Sequence, residues 1–339
     1  MKRQNVCIKT FHFADNYGAV LQCYALQKYI EGKGINVCVS NDIPRRMIPY
    51  RVRLKRLFVE NEQQRKFRFF REKYLNLKNI KNVGTLIVGS DQVWNPDLNK
   101  FDKTWFGSNI SYDRIISYAA SIGKEHLTKR DEKYFKENIK FLKAFSRIYV
   151  REASAKEILN AIGIESETVC DPVFLNIRNL KVYEEIASTS KIIPKEKYAL
   201  VYSLEKNEDI DNVIEKIKKS EQLDIYGIHP VNSNLQKVDK FIYNAGPEDF
   251  LGLILNCEYV ITNSFHGLVF GLIFNKRIIC VNHSSYSSRQ TEILNILQKK
   301  KIYNENVIFI EQSEKNQESI WKYVDDSTVK LDQVIYSQN

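Results

Sequence analysis

No apolar run in the 339 residues approaches the ~18 that a membrane-spanning helix needs, and Met1–Thr10 lacks the apolar core of a signal peptide. A cytoplasmic protein is expected. Cysteine is sparse and unpatterned: Cys7, Cys23, Cys38, Cys170, Cys257 and Cys280 show no CxxC spacing, and five of the six fall at apolar, strand-like positions where a thiol acts as a small hydrophobe. This excludes a disulfide framework and a zinc site, and no metal is expected. Glycine is too thin in the first strand–helix turn, Asp15–Ala19, for a GxGxxG dinucleotide fingerprint. An RNP sequence, a KH loop and a zinc finger are also missing, so nucleic acid is not an expected partner despite a net charge of +10.

What is present is a globular chain, with 43% hydrophobic residues and 12% aromatics, long enough for two domains of about 150 residues each. Strand-like and helix-like runs alternate along it. Asn5–Thr10, Ile35–Val39, Thr85–Gly89, Ile115–Gly123 and Arg147–Arg151 read as strands, and the pattern restarts at Tyr198–Leu204, Leu223–Gly227 and Glu258–Thr262. Such alternation predicts parallel sheets covered by helices on both faces, in two similar halves facing one another. The expected division is an N-terminal domain at 1–175, a linker at 176–197, a C-terminal domain at 198–320, and a tail at 321–339 that packs back on the first domain.

Much of the positive charge is local. Residues 45–73 carry eleven basic side chains, among them Arg51, Arg53, Lys55 and Arg56, interleaved with Leu54, Leu57, Phe58, Phe67, Phe69 and Phe70. The pattern suits an amphipathic helix, which serves equally as a solvated face over the core or as a contact with an anionic membrane surface.

The polar clusters at strand ends carry the chemistry. Ile261–Val281 reads as strand, polar turn, apolar helix and second strand, with His266 in the turn. Ligands of open α/β sheets bind beyond the carboxyl ends of strands, and the helix N-terminus that follows favours anions. Asn263 and Ser264 could cap that helix or bind a ligand, and Gly267 permits close approach of a ligand or a backbone. A lone turn histidine also serves as a surface or capping residue. Further strand ends deliver Ser90–Pro96, Ser117–Gly123 and Arg151–Ser154. Arg289 stands at a helix start, where a cation opposes the dipole and asks for an anionic partner. Asp209-Ile210-Asp211 has the form of a metal-chelating Asp-x-Asp, but acidic residues at a helix start complement the dipole, and that reading is preferred.

Asn16–Gln22, Gly89–Asn95, Ser117–Ser121, Val150–Glu152 with Ser154, Asp171–Pro172, Asn263–Gly267 and Ser288–Arg289, in that order and spacing over nearly the whole chain, resemble the polysaccharide pyruvyl transferase family. The resemblance implies two Rossmann-like domains facing across a cleft, the GT-B arrangement. It also implies phosphoenolpyruvate as donor substrate with no cofactor, and a sugar acceptor, lipid-linked or free, bridged by a pyruvate ketal. His266 becomes the general acid/base. The donor set is Arg289, Arg151, Ser264, Asn263 and Gly267, and the acceptor set Asn16, Gly18, Asp91 and Gln92. Asp91 alternatively caps the turn before Pro96. Many members have Arg-Leu-His where this chain has Ser264-Phe265-His266, which passes the donor's charge to Arg289 and Arg151.

Two rival readings fit the sequence less well. A nucleotide-sugar GT-B glycosyltransferase often carries two glutamates eight residues apart, but Glu248 is followed there by Asn256 and Glu258 by His266. A non-catalytic basic protein binding membrane or nucleic acid would not need polar clusters at the strand ends of both halves.

Overall fold

A computed structural model describes residues 5–43, 61–228, 237–283 and 287–336, with 287–289 described as backbone only. The chain divides into two compact units: residues up to Asn176 together with those from Val324 onward, and Ile177–Tyr323. Each unit is α/β and is built on a seven-stranded sheet.

The first unit runs β1 (Asn5–Lys9), α1 (Tyr17–Gly32), β2 (Asn36–Ser40), α2 (Glu62–Tyr74), β3 (Leu77–Lys78), β4 (Asn82–Val88), α3 (Pro96–Asn99), β5 (Ser111–Ala120), α4 (Lys129–Leu142), β6 (Arg147–Val150), α5 (Ala153–Ala161) and β7 (Glu167–Thr168). Every neighbouring pair is parallel, in the order β3-β2-β1-β4-β5-β6-β7. Helices on both faces explain why the strands are apolar runs rather than alternating ones: Val6–Ile8 and Leu86–Val88 are fully buried. The winding reverses between β1 and β4, which opens a crevice at their carboxyl ends.

The second unit runs α6 (Lys181–Ala187), β8 (Tyr198–Tyr202), α7 (Glu208–Glu221), β9 (Asp224–Ile228), β10 (Lys240–Ile242), α8 (Pro247–Asn256), β11 (Tyr259–Thr262), α9 (Phe265–Ile273), β12 (Arg277–Val281), α10 (Ser287–Ile296), β13 (Lys300–Ile302) and β14 (Val307–Ile310), and α11 (Glu314–Tyr336) ends the described chain. The order is β10-β9-β8-β11-β12-β14-β13, with the reversal between β8 and β11. β14 lies antiparallel to both β12 and β13. Residues 177–197 belong to this unit, where Ser190 donates to Asp249 at the start of α8 at 2.6 Å.

From Val324, α11 belongs to the first unit. There Ser327 accepts the Cys170 N–H at 2.8 Å, and Asp332 takes both the Tyr29 hydroxyl (2.9 Å) and the Lys33 ammonium (2.6 Å).

Of the basic segment, residues 45–60 lie outside the described residues, so the Arg51–Arg56 cluster has no structural description. The remainder is α2, which starts on an Asn61–Gln64 capping box. Phe67 and Phe70 are buried against Tyr17 and Tyr24, Arg71 pairs with Asp15 at 3.0 Å, and Arg68 pairs with Glu72 at 3.3 Å. Over this part Phe67 and Phe70 cover the core, while the other face is turned to solvent and carries Phe69, 50% exposed. Among the described residues no helix is long and apolar enough to cross a membrane.

Candidate active site

In the second unit the reversal point gathers the ends of β8, β11 and β12. The turn after β11 is held by its own polar groups. Thr262 donates its hydroxyl to Tyr202 O at 2.6 Å and accepts the Ser264 N–H at 2.9 Å. The side-chain oxygen of Asn263 takes the Leu204 N–H at 2.7 Å and ties the ends of β8 and β11 together. The Asn263 amide NH2 is buried and has no acceptor among the described residues.

Of the two roles expected of Asn263 and Ser264, capping is not seen: Ser264 occupies the cap position of α9 without a side-chain cap bond, its hydroxyl lying beside the Tyr202 phenol. Burial raises the pKa of that phenol. Gly267 is needed for a close approach, but to the protein: a Cβ there would lie 2.4 Å from the Thr262 hydroxyl.

His266 is partly exposed in the first turn of α9, its ring edge-on to Phe265 at 5.2 Å. First-turn N–H groups have no intrahelical acceptor, so this end of α9 favours an anion. A second histidine, His283, stands just past the end of β12 with Nε2 3.8 Å from a Glu205 carboxylate oxygen. The sequence signal for both was their place directly after apolar strands. Arg289 lies in the first turn of α10, and its side chain is outside the described residues.

In the first unit the strand ends bring Asp91, Gln92, Arg151 and Glu152 together. Gly89 has φ +112°, and a Cβ on it would meet Tyr118 O at 2.6 Å, so only glycine fits this turn. Asp91 follows with φ 75° and accepts the Gln92 N–H at 2.7 Å. Asn95 caps α3 and also donates to the Gln92 side chain at 2.7 Å. Asp91 therefore caps within its own turn while staying partly exposed. Asn16 is exposed and caps α1 by accepting the Ala19 N–H at 3.1 Å, with Gly18 buried in that helix's first turn.

Arg151 is 3% exposed and donates to Asp171 at 3.0 Å, with Glu152 at 3.7 Å. Burial alone would lower the pKa of its guanidinium; Asp171, then Glu152 and Asp91, raise it instead. One oxygen of Glu152 accepts the Ser121 hydroxyl (2.7 Å) and the N–H groups of Ile122 (3.0 Å) and Gly123 (3.1 Å). Ser117 is buried at the β5–β6 register shift, where its hydroxyl bridges Tyr149 O and N, both at 3.0 Å. These motif residues bind one another and fix the loop at 121–123.

The reversal point of the first sheet also holds Lys9 and His12, which the sequence reading did not single out. Lys9 is 1% exposed, with its ammonium 3.2 Å from Asp42 and 5.3 Å over the Trp105 ring; burial lowers its pKa against the opposing pull of Asp42. His12 is 2% exposed with Nδ1 3.2 Å from Thr10 O, and burial brings its pKa down to about 4. Thr10 donates to Ser90 O at 2.5 Å and accepts from Gln22 at 3.0 Å. A charged residue closing the apolar run Val6–Ile8 was the available clue.

Asp209 and Asp211 occupy the first turn of α7, and among the described residues no group of three or more His, Cys, Asp and Glu could hold a metal ion.

The family model for polysaccharide pyruvyl transferase matches residues 16–285. No curated protein matches the chain. Among solved structures it is similar to UDP-GlcNAc 2-epimerase from Methanocaldococcus jannaschii, at 14% identity over 95% of this chain and 91% of that one, with TM-score 0.48. UDP-GlcNAc 2-epimerase from Neisseria meningitidis is similar at 9% identity over 99% and 95%, TM-score 0.48, and a glycosyltransferase from Rickettsia africae at 11% over the whole of both chains, TM-score 0.47.

Proposed function

The chain belongs to the polysaccharide pyruvyl transferase family, and on that premise we propose that it moves the pyruvyl group of phosphoenolpyruvate onto two hydroxyls of a sugar in a polysaccharide or lipid-linked oligosaccharide, forming a pyruvate ketal. The observation that carries this reading is the start of α9. There a partly exposed histidine, the buried Asn263 NH2, which has no acceptor among the described residues, and a helix N-terminus meet at the reversal point of the second sheet.

Phosphoenolpyruvate presents a carboxylate and a phosphate, which call for oriented N–H donors and fixed positive charge. Asn263, Ser264, the α9 N-terminus at Gly267 and Arg289 supply these, while Arg151 holds the first unit's strand ends. His266 manages the protons. The methylene carbon of the enol gains a proton and becomes a methyl group, one sugar hydroxyl adds to the neighbouring carbon, and the second hydroxyl displaces phosphate. The two hydroxyl protons balance the one gained by carbon and the one released with phosphate. Asn16, Gly18, Asp91 and Gln92 form the acceptor side. For a lipid-linked acceptor, the basic residues of 45–73 hold the enzyme at the anionic inner membrane surface.

The test is incubation with phosphoenolpyruvate and a panel of sugar acceptors. The expected result is acceptor-dependent phosphate release together with an acceptor mass raised by pyruvate less water. Phosphate release without the mass change, or neither, refutes ketal transfer.

A further inference from the structure

Beside α7 the second sheet changes character. Val213, Ile214 and Ile217 of α7 pack on Ala199, Ile225 and Ile261, covering the parallel strands. Beyond them the same face continues onto β12 and the antiparallel β14, where it forms the floor of a groove of about 580 Å³. That volume lies within the ~300–1,000 Å³ of small-ligand sites.

The groove combines ring surface with polar groups that are hydrogen-bonded or ion-paired, and Lys216 and Lys219 also line it. Tyr303 is 59% exposed at its mouth and Phe309, partly buried, lies 6.4 Å from it; Tyr259, 6.3 Å beyond, is 4% exposed with the Arg277 guanidinium 4.0 Å over its ring, so Tyr303 and Phe309 supply the open ring surface. The neighbouring Ile302 is 69% exposed. Each bordering carboxylate already has a partner: Asn306 donates to Asp209 at 3.2 Å, Lys237 pairs with Glu215, and Arg277 lies 3.7 Å from Glu221. Lys216 sits 4.8 Å over the Tyr303 ring. A molecule with apolar C–H faces and many neutral hydroxyls suits this lining, because rings offer flat apolar surface while the carboxylates and the Asn212 and Asn304 side chains bring hydrogen-bonding groups to its border; the Asn304 oxygen already accepts the Asn306 and Val307 N–H groups, which leaves its NH2 as the donor.

We infer that this groove is a carbohydrate-binding site, separate from the strand-end site and holding a short neutral stretch of a glycan. From the proposed function it takes only that the protein works on a glycan. A polymer held there would stay with the enzyme between encounters at the reaction centre, as linked binding events do.

The experiment uses the full chain without phosphoenolpyruvate, so that it is independent of turnover. Neutral gluco-, galacto- and manno-hexasaccharides are titrated by saturation-transfer NMR against wild type, Tyr303→Ala and Tyr303→Phe. Binding of at least one hexasaccharide is expected, weakened about tenfold or more by Ala and little changed by Phe. An unchanged melting temperature confirms that the exposed Tyr303 is not a folding residue. No binding by any hexasaccharide, or binding indifferent to Tyr303→Ala, overturns the inference, and so does tetramethylammonium competing for the groove. Binding in a protein that fails to form the ketal leaves the groove standing and removes the proposed reaction alone.

Discussion

His266 lies in the first turn of α9, partly exposed as a residue although its Nε2 is enclosed, and substitution can separate its chemistry from its packing. His266→Gln keeps the size but cannot shuttle a proton. The expected result is kcat lower by about 10²- to 10⁴-fold, with donor affinity and melting temperature nearly unchanged. A normal kcat, or lost stability in proportion to lost activity, would assign the residue to structure. Arg151 is the opposite case. With Asp171 at 3.0 Å and Glu152 at 3.7 Å, Arg151→Ala leaves two buried carboxylates without their cation, and a loss of about 3–5 kcal/mol is expected from denaturant unfolding. Retained stability with weakened phosphoenolpyruvate binding would instead make Arg151 a donor ligand. His12 sets an acid limit. Its pKa falls from an ordinary 6.5 to about 4 because it is buried, so below pH 6.5 the unfolded chain takes up a proton that the folded chain refuses. Stability therefore drops as pH falls through that window, by about 3 kcal/mol at most, and is regained on raising the pH. Urea midpoints measured from pH 7 to pH 4 should fall less steeply in His12→Gln, and parallel profiles would exclude His12 as the cause.

At the scale of elements, α2 shows how one sequence pattern divides. Phe67 and Phe70 pack inward while Phe69 is 50% exposed, and three of the helix's cations, Lys66, Arg68 and Arg71, are paired with acids, so the proposed membrane contact is best tested on the preceding residues. Changing Arg51, Arg53, Lys55 and Arg56 together to Gln should reduce binding to anionic vesicles and slow turnover of a lipid-linked acceptor, while a short soluble acceptor is spared. Equal loss on both acceptors would argue against a membrane role. The parallel strands were legible because burial on both faces makes each an apolar run closed by polar residues. The β13–β14 hairpin was not: Val307–Ile310 is four residues long, and Lys300–Ile302 is mostly charged, so neither has a period to read. The turn at Asn263–His266 was legible as a polar strand end for the same reason the strands were. The partners of Asn263 and Ser264 were not, because the choice between capping α9 and tying β8 to β11 depends on Leu204 and Tyr202, some 60 residues away in sequence. Lys9 was not legible because a buried cation in an apolar environment runs against the usual preference, and the groups that make it tolerable, Asp42, Asn109 and the Trp105 ring, are distant in sequence.

On the scale of the whole molecule, the chain builds the same winding twice, yet the units differ in how they are completed. The second sheet closes itself with the β13–β14 hairpin, whereas the first borrows from the far end of the chain. Leu331 and Ile335 are fully buried and Val324 and Val334 nearly so, and this stretch also brings Ser327 to Cys170 and Asp332 to Tyr29 and Lys33. Four such side chains at about 1.5–3 kcal/mol each amount to most of the stability of an ordinary domain. A chain ending at Tyr323 should therefore lose the first unit selectively. Hydrogen exchange read by mass spectrometry should show β1, β4 and β5 losing protection by orders of magnitude while β8, β11 and β12 keep theirs. Uniform loss across both sheets would mean that the units fold as one cooperative block, and full retention would mean that the terminal stretch merely decorates the first unit. Because the second unit carries His266 and its surroundings, the truncated protein should also separate the two halves of the proposed chemistry, keeping measurable phosphoenolpyruvate binding while transferring nothing to a sugar.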